Sequence, residues 1–287
     1  MRAKRTSPSA IIGIVAAVAI NLFISATAAW GQEIRFETGS FPDRALVSFA
    51  TPFAKAPVVI VSGQWQGSPR LSAAVEVTKS SFVFRFFNPI NPGNDGYPGA
   101  LPMTDSGGTW MQYLALVPEA KSAAVAAASA SAADGARIAF GRALSGIPAV
   151  VCSAAGADGA PLYASATKVD QKGFTLQLTG LDGTSAKGTV QYIAVVPAAG
   201  PIGFAGASLA AGRASVSGGG ELKYGFTPSD SPAVILCSAY VPGAPTFATV
   251  SLRDSSIFDY AVRQFGAADQ TDRPAGEVSL DWIAAIK

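Results

Sequence analysis

The sequence predicts an all-β protein made of three tandem six-stranded antiparallel β-sandwich domains. Two observations support this prediction: one set of aromatic and proline landmarks occurs three times, and each copy contains short aliphatic or alternating runs separated by glycine-containing turns. The 30 glycines and 19 prolines show no three-residue period, which excludes a collagen-like chain. Hydrophobic residues make up 49% and charged residues only 14%, unlike a disordered chain.

The clearest landmark is a proline that leads an aliphatic run. It recurs after 91 and then 84 residues, in Ala56–Val61, Ile147–Val151 and Ser231–Leu236. Proline suits the first residue of a strand, where its missing N–H leaves no ladder position empty. In each copy an aromatic comes before this proline, and a second proline and a phenylalanine come after it: Phe49, Pro69 and Phe82; Phe140, Pro161 and Phe174; Tyr224, Pro245 and Phe258.

Each repeat ends with an aromatic, an aliphatic residue and an alanine, which places the repeats at residues 32–120, 121–199 and 200–287. We expect the closing aromatics in the core, because they recur at the same strand end: Tyr113, Tyr192 and Trp282. Two runs with alternating hydrophobic residues, Phe82–Phe87 and Phe174–Leu178, predict strands with one buried face.

The alanine-rich stretch Ala120–Ala133 has the composition of a helix. It occupies the first-strand position of its repeat, which Ile34–Ser40 and Gly203–Leu209 occupy in the other two. We therefore predict a strand there.

Residues 1–31 have the pattern of a secretory signal peptide. Arg2, Lys4 and Arg5 precede an apolar run, and small residues follow at the expected cleavage position. We expect a secreted, periplasmic or cell-surface protein with no membrane span after signal cleavage. The alternative is an uncleaved membrane anchor, for which the apolar run is short.

The composition argues against most enzymes and cofactors. The chain has no histidine, which removes Ser-His-Asp mechanisms and every histidine-ligated metal site. Its two cysteines cannot hold an iron–sulfur cluster alone, and its carboxylates are not clustered as a calcium site requires. A formal charge of +2 is too small to suggest nucleic-acid binding. We predict a non-enzymatic protein with no catalytic residues, cofactor or metal; a secreted hydrolase is the weakest alternative.

The landmarks resemble the H-type lectin domain family, the module of snail agglutinins and of the C-terminal part of discoidins. The third repeat fits the family pattern best, with Tyr224-Gly225-Phe226, the Pro232–Ile235 strand and the closing Trp282-Ile283-Ala284. The resemblance implies six-stranded sandwiches that associate around a three-fold axis and bind galactose-type sugars between neighbouring copies. Three copies in one chain are expected to close the same arrangement internally, as a pseudo-trimer.

The sugar-binding residues of that family match this chain poorly. Family members have an arginine just before the middle strand, and the aligned positions here are Pro69, Pro161 and Pro245, with Arg70 directly after the first. A histidine found in snail members has no counterpart. The sugar specificity of the family is therefore not carried over.

Candidate carbohydrate-binding residues come from the first and third repeats. An aromatic ring can stack on the apolar face of a sugar, while amide, carboxylate and guanidinium groups bind its hydroxyls. The first repeat offers a Trp–Arg loop and a long insertion, Asn88 to Gly108, and the third offers a tyrosine loop and a following strand. The candidates are Trp65, Arg70, Asn94, Asp95, Tyr97, Tyr240, Arg263 and Phe265. A plain surface loop is the alternative for the insertion, and the second repeat lacks such residues.

These observations predict an exported lectin-like protein that recognises glycans in inter-domain clefts. The alternative is a non-enzymatic structural or adhesive surface protein, in which the repeats self-associate and no sugar binds.

The two cysteines allow two interpretations. Cys152 and Cys237 follow their prolines by four and five residues, an offset that places them on opposite strand faces unless a bulge intervenes. Two buried thiols are the favoured interpretation, and an inter-repeat disulfide is the other.

Overall fold

The computed structural model describes residues 34–65, 68–87, 109–117, 122–204, 206–224, 232–241, 244–252, 254, 256–266 and 271–286. These residues form twenty strands paired antiparallel and no helix, which confirms the all-β class. Within these residues, no helix has the length and apolar character needed to span a membrane. The predicted signal peptide lies outside the described residues.

The strands fall into three consecutive segments. The first segment contains β1 (Ile34–Phe41), β2 (Leu46–Ser48), β3 (Val58–Trp65), β4 (Ser68–Val75), β5 (Ser81–Phe87) and β6 (Thr109–Leu116). The second contains β7 (Val125–Ala133), β8 (Arg137–Ala139), β9 (Ala149–Ala155), β10 (Pro161–Asp170), β11 (Gly173–Thr179) and β12 (Lys187–Val195). The third contains β13 (Ile202–Phe204), β14 (Ala207–Ser217), β15 (Gly219–Lys223), β16 (Pro232–Tyr240), β17 (Thr246–Leu252), β18 (Ile257–Gly266), β19 (Thr271–Pro274) and β20 (Glu277–Ile286).

The first two segments have the same topology. Each is a six-stranded sheet, with the order β1-β6-β3-β4-β5-β2 in the first and β7-β12-β9-β10-β11-β8 in the second. The closing strand of each segment therefore pairs with its first strand and with the strand that the landmark proline leads.

The third segment differs from the expected six strands. It has eight strands in two sheets, β13-β14-β20-β16 and β15-β18-β17, with β19 paired to β18. The short strands β13 and β19 are additions, and the first long strand begins at Ala207 rather than at Gly203. Between β16 and β17 the described pairing is reduced to a single bridge, Val241 with Ala244, which separates the two sheets.

Burial alternates along the strands as the sequence predicts. Phe82, Phe84 and Phe86 lie in the core of the first segment. The closing aromatics are also buried, each against the phenylalanine of its own repeat: Tyr113 on Phe82, Tyr192 on Phe174 and Trp282 on Phe258. The alanine-rich stretch forms the strand β7, which confirms that prediction.

A central apolar cluster joins all three segments. The strands β3, β9 and β16 are buried on both faces: Val58 and Ile60 enter the central cluster, whereas Val59 and Val61 enter the core of the first segment. The second and third segments contribute the same kind of residues, among them Val151, Ile193, Leu236 and Ile283. Burial on both faces explains why these runs are continuously hydrophobic.

Next to this cluster, one polar side chain of each segment reaches a neighbouring segment. Gln112 accepts a hydrogen bond from Ile235 N–H (3.3 Å), Gln191 accepts one from Val59 N–H (2.9 Å), and Asp281 accepts one from Val150 N–H (2.8 Å). These three residues each precede a closing aromatic. The contacts run from the first segment to the third, from the third to the second and from the second to the first, so they close a ring.

The third member of this ring differs in chemistry. The side-chain amides of Gln112 and Gln191 also donate to the carbonyls of Val250 and Ala74, at 3.0 and 2.9 Å. Asp281 cannot donate in its ionised form, and instead it pairs with Arg213 through two hydrogen bonds of 2.6 and 2.7 Å. These hydrogen bonds to Asp281 raise the pKa of Arg213.

The two cysteines are free thiols at matching positions. A register shift between Pro232 and Val234 absorbs the one-residue offset, so Cys152 pairs with Tyr192 and Cys237 pairs with Trp282. Burial raises the pKa of both thiols.

The ring of inter-segment contacts predicts a loss of stability when Gln191 is substituted. Gln191→Leu leaves Val59 N–H and Ala74 C=O buried without their partner, so we expect the free energy of unfolding to fall by about 2–4 kcal/mol. Denaturant unfolding measures this, with Gln171→Leu on the exposed surface as the control, which is expected to change by less than about 0.5 kcal/mol. Equal midpoints for the two variants would show that the amide contacts do not stabilise the fold.

A second prediction concerns Gly212, which lies opposite Trp282. A Cβ at this position would lie 2.6 Å from the indole ring, so Gly212→Ala should destabilise the protein by about 1–3 kcal/mol. The second segment has Ala128 opposite the smaller Tyr192. The double variant Gly212→Ala/Trp282→Tyr should therefore lose less stability than the sum of its single changes, and strict additivity would contradict this packing argument.

Candidate functional site

A cleft of about 1070 Å³ lies between the first and second segments. Its floor is formed by the strand ends beside Gln191, and its rim carries charges of both signs. The cations are Arg44, Lys55 and Arg85, and the carboxylates are Glu76 and Asp158.

The first segment provides the more charged wall. Arg85 on β5 donates through Nε to Asp43 (3.1 Å), and Asp43 also accepts the backbone N–H of Phe86 (3.0 Å). The carboxylate thus fixes the guanidinium at the cleft. The Nη1 atom of Arg85 would lie 3.0 Å from a Cβ placed on Gly159, so Arg85 lies against the second segment.

The second segment provides a small, polar wall. Thr189 and Gln191 on β12 and Ser129 on β7 line the cleft, together with the turn after β9. In that turn Gly159 has a φ of +77°, and Asp158 accepts the N–H of Ala160 at 3.0 Å. Glycine is suited to this left-handed conformation because it has no Cβ.

Arg44 on the rim holds an unfavourable backbone conformation. Its φ is 64°, and the same turn of the second segment has Gly135 at 77°. The two turns are alike in their hydrogen bonds: Arg44 N–H donates to Phe84 O (2.8 Å) and Gly135 N–H donates to Leu176 O (2.9 Å). The first segment therefore has a long cationic side chain at a position where the second has the residue that fits best. Strain of this kind is typical of functional positions.

Three of the residues predicted from sequence lie away from this cleft. Arg70 is only 4% exposed and belongs to the inner side of the first segment, where the second segment has the core residue Leu162. It lines a cavity of about 50 Å³ among the three segments. Tyr240 ends β16 beside Ser279, and Arg263 on β18 pairs with Phe247; both side chains are partly exposed.

The remaining predicted residues are not described in full. Asn94, Asp95 and Tyr97 lie outside the described residues. The backbones of Trp65 and Phe265 belong to β3 and β18, and their side chains are not described. The structure does not bring Arg70, Tyr240 and Arg263 together in the cleft, and their role in sugar binding stays a prediction.

Sequence reasoning missed Arg44, Arg85 and the second-segment wall. One signal was present in the repeats: Asp43-Arg44 aligns with Asp134-Gly135, with Arg44 and Gly135 each five residues before the landmark aromatic, Phe49 or Phe140. A turn that has glycine in one repeat and arginine in another marks the arginine as unusual. Arg85 gave no such signal, because only the register shows that it faces another segment.

The lining of the cleft combines several kinds of polar group. Among the described residues, no group of three His, Cys, Asp or Glu side chains is placed to hold a metal ion. The cleft instead offers hydroxyl, amide, guanidinium and carboxylate groups beside the apolar side chains of Val75 and Val83. Comparisons with protein-family models, curated proteins and solved structures found no match for this chain.

The strain at Arg44 predicts that Arg44→Gly stabilises the protein. Relief of the left-handed backbone should raise the free energy of unfolding by about 0.5–1 kcal/mol, since the Asp43–Arg44 contact is long at 3.7 Å and its arginine is largely exposed, so it contributes little. Lys168 has a φ of 47° on the second segment and does not line the cleft, so Lys168→Gly is the matched control and should also stabilise. A loss of stability in Arg44→Gly, measured by denaturant unfolding, would contradict the strain argument.

Proposed function

We propose that this chain is a lectin-like protein that binds glycans in the cleft between its first and second segments. The proposal includes an internal pseudo-trimer of three H-type-lectin-like repeats and export by the predicted signal peptide. The observation that carries it is the strained Arg44 on the rim of a large mixed-charge cleft at a junction between repeats.

The lining of the cleft supports a sugar as ligand. Sugar hydroxyls both donate and accept hydrogen bonds, so they suit a site that mixes arginine and lysine donors with carboxylate acceptors. Val75, Val83 and Ala127 provide apolar contact for the C–H face of a ring. None of the described residues that line this cleft is aromatic, so the contacts they offer a sugar are polar and aliphatic rather than stacking contacts.

The ring of inter-segment contacts supports the pseudo-trimer. The residues Gln112, Gln191 and Asp281 hold the same position in their segments and make the same contact to the next. The central cluster draws matching strands from all three segments.

The decisive variant is Thr189→Trp, which places a large ring in the cleft. Thr189 is exposed on β12, so the change should leave stability nearly unchanged while it weakens glycan binding by about tenfold or more. Binding is measured on a broad glycan array and confirmed by calorimetry with the best glycan. Ser145→Trp, at an exposed position outside the cleft, is the control and should bind like the unmodified protein.

The array distinguishes the alternatives. Arg44→Gly should bind more weakly although it is more stable, whereas Lys168→Gly should keep full binding. Full binding in Thr189→Trp would move the sugar site out of this cleft. No binding to any glycan by the folded protein would reject the lectin proposal and favour the structural or adhesive alternative.

A further inference from the structure

An exposed tryptophan lies outside the cleft, at the junction between the first and third segments. Trp110 is 48% exposed, and it is one of three large hydrophobic side chains that are exposed among the described residues, with Leu46 and Ile147. It lies at the start of β6, directly between Ser40 on β1 and Gln64 on β3. Residues directly opposite one another share a face of the sheet, so Ser40, Trp110 and Gln64 form one row.

This row faces the third segment. Gln112 is two residues further along β6 and therefore on the same face, about 7 Å away. Its amide bonds to Val250 O and Ile235 N–H, both of the third segment. The adjacent Ser62 contacts Thr249 at 3.4 Å. The indole thus lies one position beyond the last direct contact between the two segments.

The register relates this row to the glycan cleft. In the second segment the position of Trp110 is occupied by Thr189 and that of Gln64 by Ala155, which pair with each other and line the cleft. The indole and amide therefore occupy space that is open at the other junction. Across this junction, β17 and β18 present Ser251 and Asp259 as a pair on the face that carries Thr249.

Gln64 has a hydrogen-bonding capacity that the described structure does not use. Its Oε1 is buried and accepts no hydrogen bond there. A buried acceptor without a partner is costly, and the Gln64 side chain is partly exposed, so its amide can turn toward a bound molecule and accept a hydrogen bond from it. The acceptor lies beside the exposed indole, so a ligand with an apolar face and a hydroxyl at its edge satisfies both groups.

We infer that Trp110 and Gln64 form a second glycan site, of a different kind from the cleft. A neutral pyranose stacks its C–H face on the Trp110 indole and donates a hydroxyl hydrogen bond to Gln64 Oε1, with Ser251 and Asp259 on the opposite wall. The site goes beyond the proposed function, because it gives the chain two unlike sites: a charged cleft and an aromatic platform.

The test uses the purified protein labelled with 5-fluorotryptophan and observed by ¹⁹F NMR. The probes are the methyl glycosides of galactose, N-acetylgalactosamine, glucose and mannose. The concentration of each is raised to about 10 mM, ten times a dissociation constant of 1 mM. Trp110→Phe assigns the Trp110 signal by its loss. We expect at least one glycoside to shift this signal saturably, while the signal of the buried Trp282 stays in place.

Variants separate this site from the cleft. Gln64→Leu should weaken the glycoside by about tenfold, since it removes the acceptor and keeps the side-chain volume. Thr189→Trp should leave the Trp110 response unchanged, because it fills only the cleft. The Trp282 signal reports whether each variant is folded.

Two results would overturn the inference. One is a Trp110 signal that none of the four glycosides moves, and the other is full affinity in Gln64→Leu. A Trp110 response that persists when array binding is lost in Thr189→Trp supports both sites. Cleft binding without a Trp110 response rejects only the second site.

Discussion

The fold depends on strands that must be buried on both faces. Val58 and Ile60 point into the central cluster and Val59 and Val61 into the core of their own segment, so the first segment alone would leave one face of β3 in water. The second and third segments cover that face with matching strands. At about 25 cal/mol per Å² of apolar surface, this shared burial makes the three segments mutually dependent.

The ring of inter-segment contacts lies at the edge of the central apolar cluster. Gln112, Gln191 and Asp281 satisfy buried backbone groups of a neighbouring segment, which water cannot reach. Two residues before Gln112 and Gln191, on the same face of the sheet, Trp110 and Thr189 are exposed, and the size of the side chain there decides what the junction becomes. Thr189 leaves an open cleft, and Trp110 presents an aromatic surface.

The strands and core could be predicted from the sequence because both follow from hydrophobic periodicity and from repetition. Even the alanine-rich β7 was predictable, because its position in the repeat outweighed its helical composition. The cleft was not predictable, because it depends on which faces of two segments meet. Arg70 shows the difference: its place after a proline suggested a binding loop, yet the structure puts it where the second segment has the core residue Leu162. The bulge between Pro232 and Val234, which aligns the two cysteines, is likewise a feature of register that the sequence only allowed for.

The covalent connection of the three segments has a consequence for divergence. In an assembly of three identical chains, each substitution appears three times, so an indole at the position of Trp110 would occupy every junction and leave no open cleft. Here that position holds Trp110 in the first segment, Thr189 in the second and Ser279 in the third. A gene that encodes all three copies can therefore alter one junction while the others keep their chemistry, and a single molecule can combine surfaces that a symmetric assembly cannot.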